Sequence, residues 1–469
     1  MILWRRIWLI ALAIKIVLAA VLPLSNDEAY YWVWSHHLQW SYYDHPAGVA
    51  WLFWLGHAFE PLRTWMTSIA PGVDLSGVVR IPAVILGHFS LLAMKRLIGD
   101  SISEKQHVQW LLVVMLSPFF GLGSLIITPD VPLVLMWSLS LLAFRHHLDR
   151  PTIGTAALLG AALGLGFCGK YHIVLFVPIA LAYVAWNKMW PAMRPSVLIA
   201  VVFSGLIFSA PVWGWNMTHD WVSFRFQLEH GLNQEAQSWS SKLHQFGDYL
   251  GAQLGLLSPL VVFTLWKFGE PRRLQFLRWF GWGTILFFAW TSLRSPVEAN
   301  WPIAGHMPLL ILAAVNDTRQ YLTRGMLALW SVASIVVIYQ ALHPTQPLFG
   351  IPADRLKTYE FVRFQELEAL AKTDPALYAS SYQMAGALSI AANRTVAKLA
   401  GLNRKDFFDF HESGFPTSPT FTVALAETWP WPAWIQERGY RETSRRTVGR
   451  FTLVTFERQQ SEVEGQEAK

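Results

Sequence analysis

Six stretches of this chain set acids, bases and amides among apolar or aromatic residues. Asp27 and Glu28 stand in SNDEAYYW, Asp44 and His45 in YYDHP, Asp130 in ITPD, and Lys170 and His172 in CGKYH. His219 and Asp220 stand in MTHDW, and Glu298 and Asn300 in SPVEANWP beside Trp301. Charges against a membrane are costly to desolvate and tend to mark function or pairing. Such a set suits transfer of a sugar from a lipid phosphate. A carboxylate accepts the proton of the acceptor hydroxyl, and cations stabilise the leaving phosphate. Aromatic faces pack against the sugar and its lipid chain. Lys170, Arg294 and His45 are the candidate phosphate partners, and Tyr43 belongs to a dense run with Tyr30, Tyr31, Trp32, Trp34, Trp40 and Tyr42. His/Asp pairs could instead hold a divalent ion, with Asp44 and His219 the candidates. No compact ligand spacing accompanies them, so the chemistry does not require a metal.

Each of these residues has a plainer reading. Ser25, Asn26 or Asp27 could cap a helix, Pro129-Asp130 could open one, and Lys170 could extend to the lipid headgroups. Asp44-His45-Pro46 could be an ordinary loop. Glu298 and Asn300, in a short turn between Pro296 and Pro302, are the hardest to dismiss. The case rests on convergence on one face of a membrane, which depends on topology.

Hydrophobic residues make up 53% of the 469 and charged residues only 14%, far too few to cover a soluble domain of this size. The apolar residues fall in blocks at about 4–24, 77–97, 107–127, 130–148, 153–169, 171–187, 196–213, 247–267, 276–293, 301–316 and 325–342. The block at 7–24 resembles a signal-peptide core. Lys15 interrupts it, no clean cleavage site follows, and it reads as a retained first span. With the N-terminus inside, every inner connection is basic, including Arg5, Arg6, Lys95, Arg96, Arg272, Arg273 and Arg278. The outer segments carry few cations: Arg63 and Arg80 near the first loop, Lys170 and Arg294. All six polar stretches then face outward. The net charge of +6 is thus a topology signal and not a nucleic-acid footprint.

The expected architecture is an all-α polytopic membrane protein of about 11 transmembrane helices over residues 1–342, with a first outer loop at about 25–76. A small α/β or α+β extracytoplasmic domain follows over 343–469. In it, Thr447–Thr455 and Phe421–Ala424 read as strands, Ala353–Ala371 as an amphipathic helix, and Ala379–Ile390 as a buried helix. The last ten residues or so read as disordered. Cys168 is the single cysteine, which excludes an intrachain disulfide framework.

The stretch SNDEAYYWVWSHHLQWSYYDHPAGVAWL resembles the first outer loop of the protein-mannosyltransferase-like integral membrane glycosyltransferases. These have the GT-C fold and include bacterial aminoarabinose and galacturonic acid transferases acting on lipid A. ITPDVPLVLMW, LGLGFCGKYHIVLFVP and SPVEANWPIAGHMPLL follow in the family's order, so the similarity spans about residues 1–315. The resemblance implies that Asp27 is the catalytic base, with Glu28 its neighbour. It matches Asp44 and His45 to an acid-plus-base pair near the donor or a metal, Asp130 to the acid of a Thr-Pro-Asp turn, and Lys170 to a lysine aimed at the lipid phosphate. It matches Glu298, Asn300 and Trp301 to a late outer turn near the active site. Relatives usually carry Lys where this chain has His45, and many carry a second Pro where it has Ala47; His45 is a weak cation near neutral pH. The implied reaction inverts the anomeric centre in one displacement with polyprenyl phosphate leaving. It places a polyprenyl-phosphate sugar donor and a lipid A, glycan or protein acceptor at the outer face of a bacterial inner membrane, among membrane lipids, with no cofactor required. A lipid-linked sugar transporter would be expected to show repeated halves, which the sequence lacks. A scaffold would leave the loop acids as helix caps.

Overall fold

A computed structural model describes residues 2–232, 238–257 and 259–459, and the chain divides into two compact units. The first comprises Met1–Pro23 and Leu38–Tyr339, the second Leu24–His37 and Gln340–Lys469. The sequence places Leu24–His37 in the first outer loop. In the structure this segment packs with the C-terminal residues.

The first unit is helical. Every apolar block of the sequence holds a helix, from Ile2–Val21 to Tyr321–Leu342. Among the described residues, four segments are long and apolar enough to cross a membrane on their own: Ser76–Ser101, Asp130–Asp149, Pro195–Thr218 and Tyr321–Leu342. Ile153–Gly169, Tyr171–Trp186 and Ile303–Asn316 are apolar but shorter. The blocks thus all become helices without all reaching the length of a full span. The 107–127 block shows why: its helix Glu104–Leu116 stops at Ser117-Pro118, and only the short 3₁₀ turn Gly123–Leu125 follows. Proline removes an amide donor and restricts the residue before it, so the helix ends there.

Aromatic side chains fill the core of this unit. Phe176 meets Phe280 at 4.4 Å between ring centres and Trp137 edge-on at 5.2 Å. Arg80, counted from sequence as an outer charge, is fully buried. Its guanidinium donates to the carbonyls of Ala19, Leu22 and Pro23 at 2.7–2.8 Å, satisfying the orphan end of the Ile2–Val21 helix.

The second unit is α+β. Strands β1 (Leu377–Ala379), β2 (Thr420–Leu425), β3 (Tyr440–Val448) and β4 (Phe451–Arg458) form one sheet in the order β1-β2-β4-β3. β1 runs parallel to β2 and the other pairs are antiparallel, with Val423 opposite Val454. Leu399, Leu402, Phe421, Val454 and Phe456 form the core. The strand expected at Phe421–Ala424 lies within β2. The one expected at Thr447–Thr455 is instead a hairpin, because the chain reverses at Gly449 with φ +56°. The helix expected over Ala353–Ala371 is three 3₁₀ turns, Ala353–Arg355, Lys357–Phe361 and Gln365–Leu367, ahead of a short helix Glu368–Thr373. The buried helix expected at Ala379–Ile390 runs from Tyr382 to Ala392, because Ala379 ends β1 and Ser381 caps the helix. The disorder expected in the last ten residues lies outside the described residues.

Asn26–His36 forms a helix that lies on Tyr382–Ala392. The two backbones touch at Gly386, where a Cβ would stand 2.6 Å from the Tyr30 amide nitrogen. Only glycine permits that approach. The Tyr30 hydroxyl accepts from the Phe407 amide at 2.8 Å, so the aromatic YYW run anchors this packing.

Candidate active site

In the first unit, three turns far apart in sequence meet at one buried carboxylate. Asp130 opens its helix but does not cap it. Its Oδ1 accepts from Lys170 Nζ at 2.6 Å, and its Oδ2 accepts from Asn300 Nδ2 at 2.6 Å. Asp130 is 6% exposed and Lys170 5%. The pairing satisfies a charge that burial would otherwise penalise heavily. Lys170 is therefore paired in the protein, not extended to headgroups. Two glycines let the turns converge. A Cβ on Gly169 would meet the Pro132 ring at 2.9 Å, and one on Gly48 would meet the Cys168 carbonyl at 2.7 Å. The second contact brings the segment after Asp44-His45-Pro46 against the Cys168–Lys170 turn.

His172 lies between Phe288 and Trp301, with ring centres at 5.1 and 5.6 Å, and within electrostatic reach of Lys170 and His45. Buried Asp44 offers its carbonyl to Gln227 Nε2 at 2.7 Å, while the Tyr43 ring meets Phe226 at 4.7 Å. The structure thus gathers Asp130, Lys170, Asn300, His172 and Trp301, with His45 close by. Other expected residues are engaged locally. Arg294 sits over the Trp290 ring at 3.9 Å, and Glu298 is exposed. His219 stacks on Trp215 at 4.0 Å and its Nδ1 lies 2.8 Å from the Trp215 carbonyl oxygen. Among the described residues no three His, Cys, Asp or Glu side chains stand together as metal ligands would.

A further chain of contacts supports the Asn300 turn. His306 Nε2 meets Gln253 Oε1 at 2.8 Å, and Gln253 Nε2 donates to the Ala299 carbonyl at 3.1 Å, one residue before Asn300. His306 and Gln253 carry no motif, being single polar residues in apolar helices. Their signal in the sequence is only that a polar group in such a helix needs a partner.

The second unit holds the other acids. Ser25 caps the Asn26–His36 helix, accepting from the Glu28 amide at 3.3 Å, while the Glu28 carboxylate accepts from the Ser25 amide at 3.0 Å. This reciprocal cap engages Glu28, which is fully buried. Asp27 is exposed, and its Oδ1 accepts from the Tyr382 hydroxyl at 3.3 Å. Arg404 covers the Tyr382 ring at 4.4 Å. Glu360 faces the same acids. Burial, reinforced by the charges of Asp27 and Glu28, pushes its carboxyl above the usual range, against the opposing pull of Lys357. Tyr382, Arg404 and Glu360 escaped the sequence reading because the C-terminal residues carry no motif that ties them to Asp27.

Residues 44–215 match the dolichyl-phosphate-mannose-protein mannosyltransferase family. The matched segment holds Asp44, His45, Asp130, Lys170 and His172. A lipid A galacturonosyltransferase, RgtD, of Rhizobium johnstonii is 26% identical over 305 residues, covering 61% of this chain and 59% of that relative. The chain therefore spans less than two thirds of the curated relative it matches. Two crystal structures of ArnT from Cupriavidus metallidurans share the fold across 97% of both chains. The one bound to undecaprenyl phosphate has a TM-score of 0.62 at 13% identity, and the apo form 0.63 at 14%. At that identity the likeness shows the fold, which is the helical GT-C membrane fold expected from the sequence, with a small C-terminal sheet.

Proposed function

We propose that this protein is a glycosyltransferase that moves a sugar from a polyprenyl-phosphate carrier to an envelope acceptor such as lipid A or another glycan. The reaction takes place on the periplasmic face of a bacterial inner membrane. The observation that carries the reading is the match to a lipid A galacturonosyltransferase over 305 residues, longer than the segment 44–215 that resembles the mannosyltransferase family. The ArnT likeness supports it, since one of those structures holds undecaprenyl phosphate.

In this reading Asp27 takes the proton of the acceptor hydroxyl as that oxygen attacks the anomeric carbon. The polyprenyl phosphate leaves from the opposite face, giving inversion. The Tyr382 hydroxyl orients the Asp27 carboxylate, and Glu28 holds the start of the helix that presents it. Lys170, fixed by Asp130 and Asn300, meets the donor phosphate together with His45 and Arg294. Tyr43, Asp44, His172, Glu298 and Trp301 line the substrate path. Transfer proceeds without a resident metal, so a chelator is expected to leave the rate unchanged; a rate lost to chelation and restored by a divalent ion would reject that point. A protein hydroxyl as acceptor is the second reading, favoured by the family description of residues 44–215.

Mass spectrometry of lipid A, other envelope glycans and envelope proteins, from cells with and without this gene, tests the proposal. Loss of one sugar-sized mass, restored by the wild-type chain and not by Asp27→Asn, is the expected result. No change in any of them, or full rescue by Asp27→Asn, would overturn it.

A further inference from the structure

Strand β3 is unusual for an edge strand of a packed sheet. From Arg441 to Thr447 its side chains are exposed on both faces, whereas a strand on a core buries alternate residues. At its start lies a cavity of about 540 Å³ lined by Trp431, Gln436, Arg441 and Glu442, with Tyr440 and Phe456 contributing apolar surface. The Trp431 ring stands edge-on to Phe456 at 4.7 Å and is only half-buried. An aromatic face beside an amide, a carboxylate and a guanidinium suits a saccharide. The ring takes the C–H face of the sugar, and the polar groups bond its hydroxyls.

The charge around the cavity narrows the ligand. Residues 437–458 carry six arginines against three glutamates. Arg445 is held by Glu442 at 2.8 Å, while Arg441 and Arg446 are exposed on the strand. Arginine forks match phosphate oxygens in pairs. We propose that this cavity and its flanking arginines bind the phosphate-bearing saccharide headgroup of a glycolipid. The inference rests on the glycosyltransferase reading and adds where the acceptor is gripped, by residues distinct from those that react. A membrane surface is the less suitable occupant, because β3 presents no exposed apolar side chain from Arg441 to Thr447 to enter lipid.

The test is calorimetric titration of the full-length protein, in nanodiscs of neutral phosphatidylcholine, with a bisphosphorylated glucosamine disaccharide. Arg441→Gln is expected to weaken binding about tenfold, the size of one hydrogen bond to a charged group. Trp431→Ala should weaken it at least as much. Trp431→Phe, which keeps the apolar packing, should fall between Trp431→Ala and wild type and guards against misfolding. Binding unaltered in both Arg441→Gln and Trp431→Phe would overturn the proposal. So would equal affinity for inorganic phosphate, or binding to phosphatidylglycerol vesicles without binding to the disaccharide. If transfer is observed while headgroup binding ignores these residues, the inference fails and the enzyme reading stands. If binding depends on them while no envelope component gains a sugar, the site stands and the enzyme reading fails.

Discussion

The two units hold their acids in opposite ways. Asp130 in the helical unit is clasped on both oxygens at 2.6 Å by a lysine and an amide, all within apolar surroundings. Asp27 in the C-terminal unit is exposed and accepts a 3.3 Å bond from Tyr382. Burial decides the difference. A carboxylate away from water must be paired to exist as an anion, so its lone pairs are already committed. An exposed one keeps lone pairs for an incoming hydroxyl. Acids that look alike in the sequence therefore divide into one held by buried partners and one open to solvent.

The strongest way to break this comparison is at Asp27. Asp27→Asn is expected to lower turnover by about 10²–10⁴-fold, the usual contribution of a general base. The unfolding temperature in detergent should barely move, since the amide oxygen still accepts from Tyr382. A large stability loss with intact turnover would reverse the assignment. Asp130→Ala should do the converse, leaving Lys170 buried without its carboxylate at a cost of about 3–5 kcal/mol. The double change Asp130→Leu with Lys170→Met should recover much of that stability in a thermal unfolding assay, and no donor use. Recovery of both would mean the clasp serves packing alone.

Smaller changes sharpen the contrast. Gln253→Leu is expected to cost about 1–3 kcal/mol by leaving His306 and the Ala299 carbonyl unsatisfied. It should raise the KM for donor more than it lowers kcat, because it loosens the turn that bears Asn300. An unchanged KM would uncouple this chain from the site. A pH effect belongs to the C-terminal unit. Burial, then the neighbouring charges of His411 and His36, lower the His37 pKa from 6.5 to about 4. The folded state thus keeps His37 neutral where the unfolded chain would protonate it. Stability from this group is full above pH 6.5 and lost as pH falls from there towards 4. Denaturant titrations across that range should show the loss in wild type and a shallower one in His37→Gln, whose amide can still meet Thr395.

The helical unit was largely legible in the sequence because its signals are redundant. Apolar blocks mark helices, and the turns ITPD, CGKYH and EANW, which carry Asp130, Lys170 and Asn300, stand out against them. What the spacing could not reveal is that these three bind one another. In the C-terminal unit the apolar period misled. Leu356, Tyr359 and Val362, like Phe361, Phe364 and Leu367, recur every third residue, which fits the eclipsed 3₁₀ turns observed better than an α-helix. Tyr382, Arg404 and Glu360 reach Asp27 only through tertiary packing, so no local pattern announced them.

The close seat of Asn26–His36 on Gly386 also sets an order of events in the making of the protein. The ribosome delivers Tyr30, Trp32 and Trp34 more than three hundred residues before the segment that buries them. The contact of Tyr30 with Gly386 cannot form before then, and it carries the loop-closure cost of most of the chain. A C-terminal truncation would therefore do more than remove a domain: it would leave the helix that bears Asp27 without the surface against which it folds.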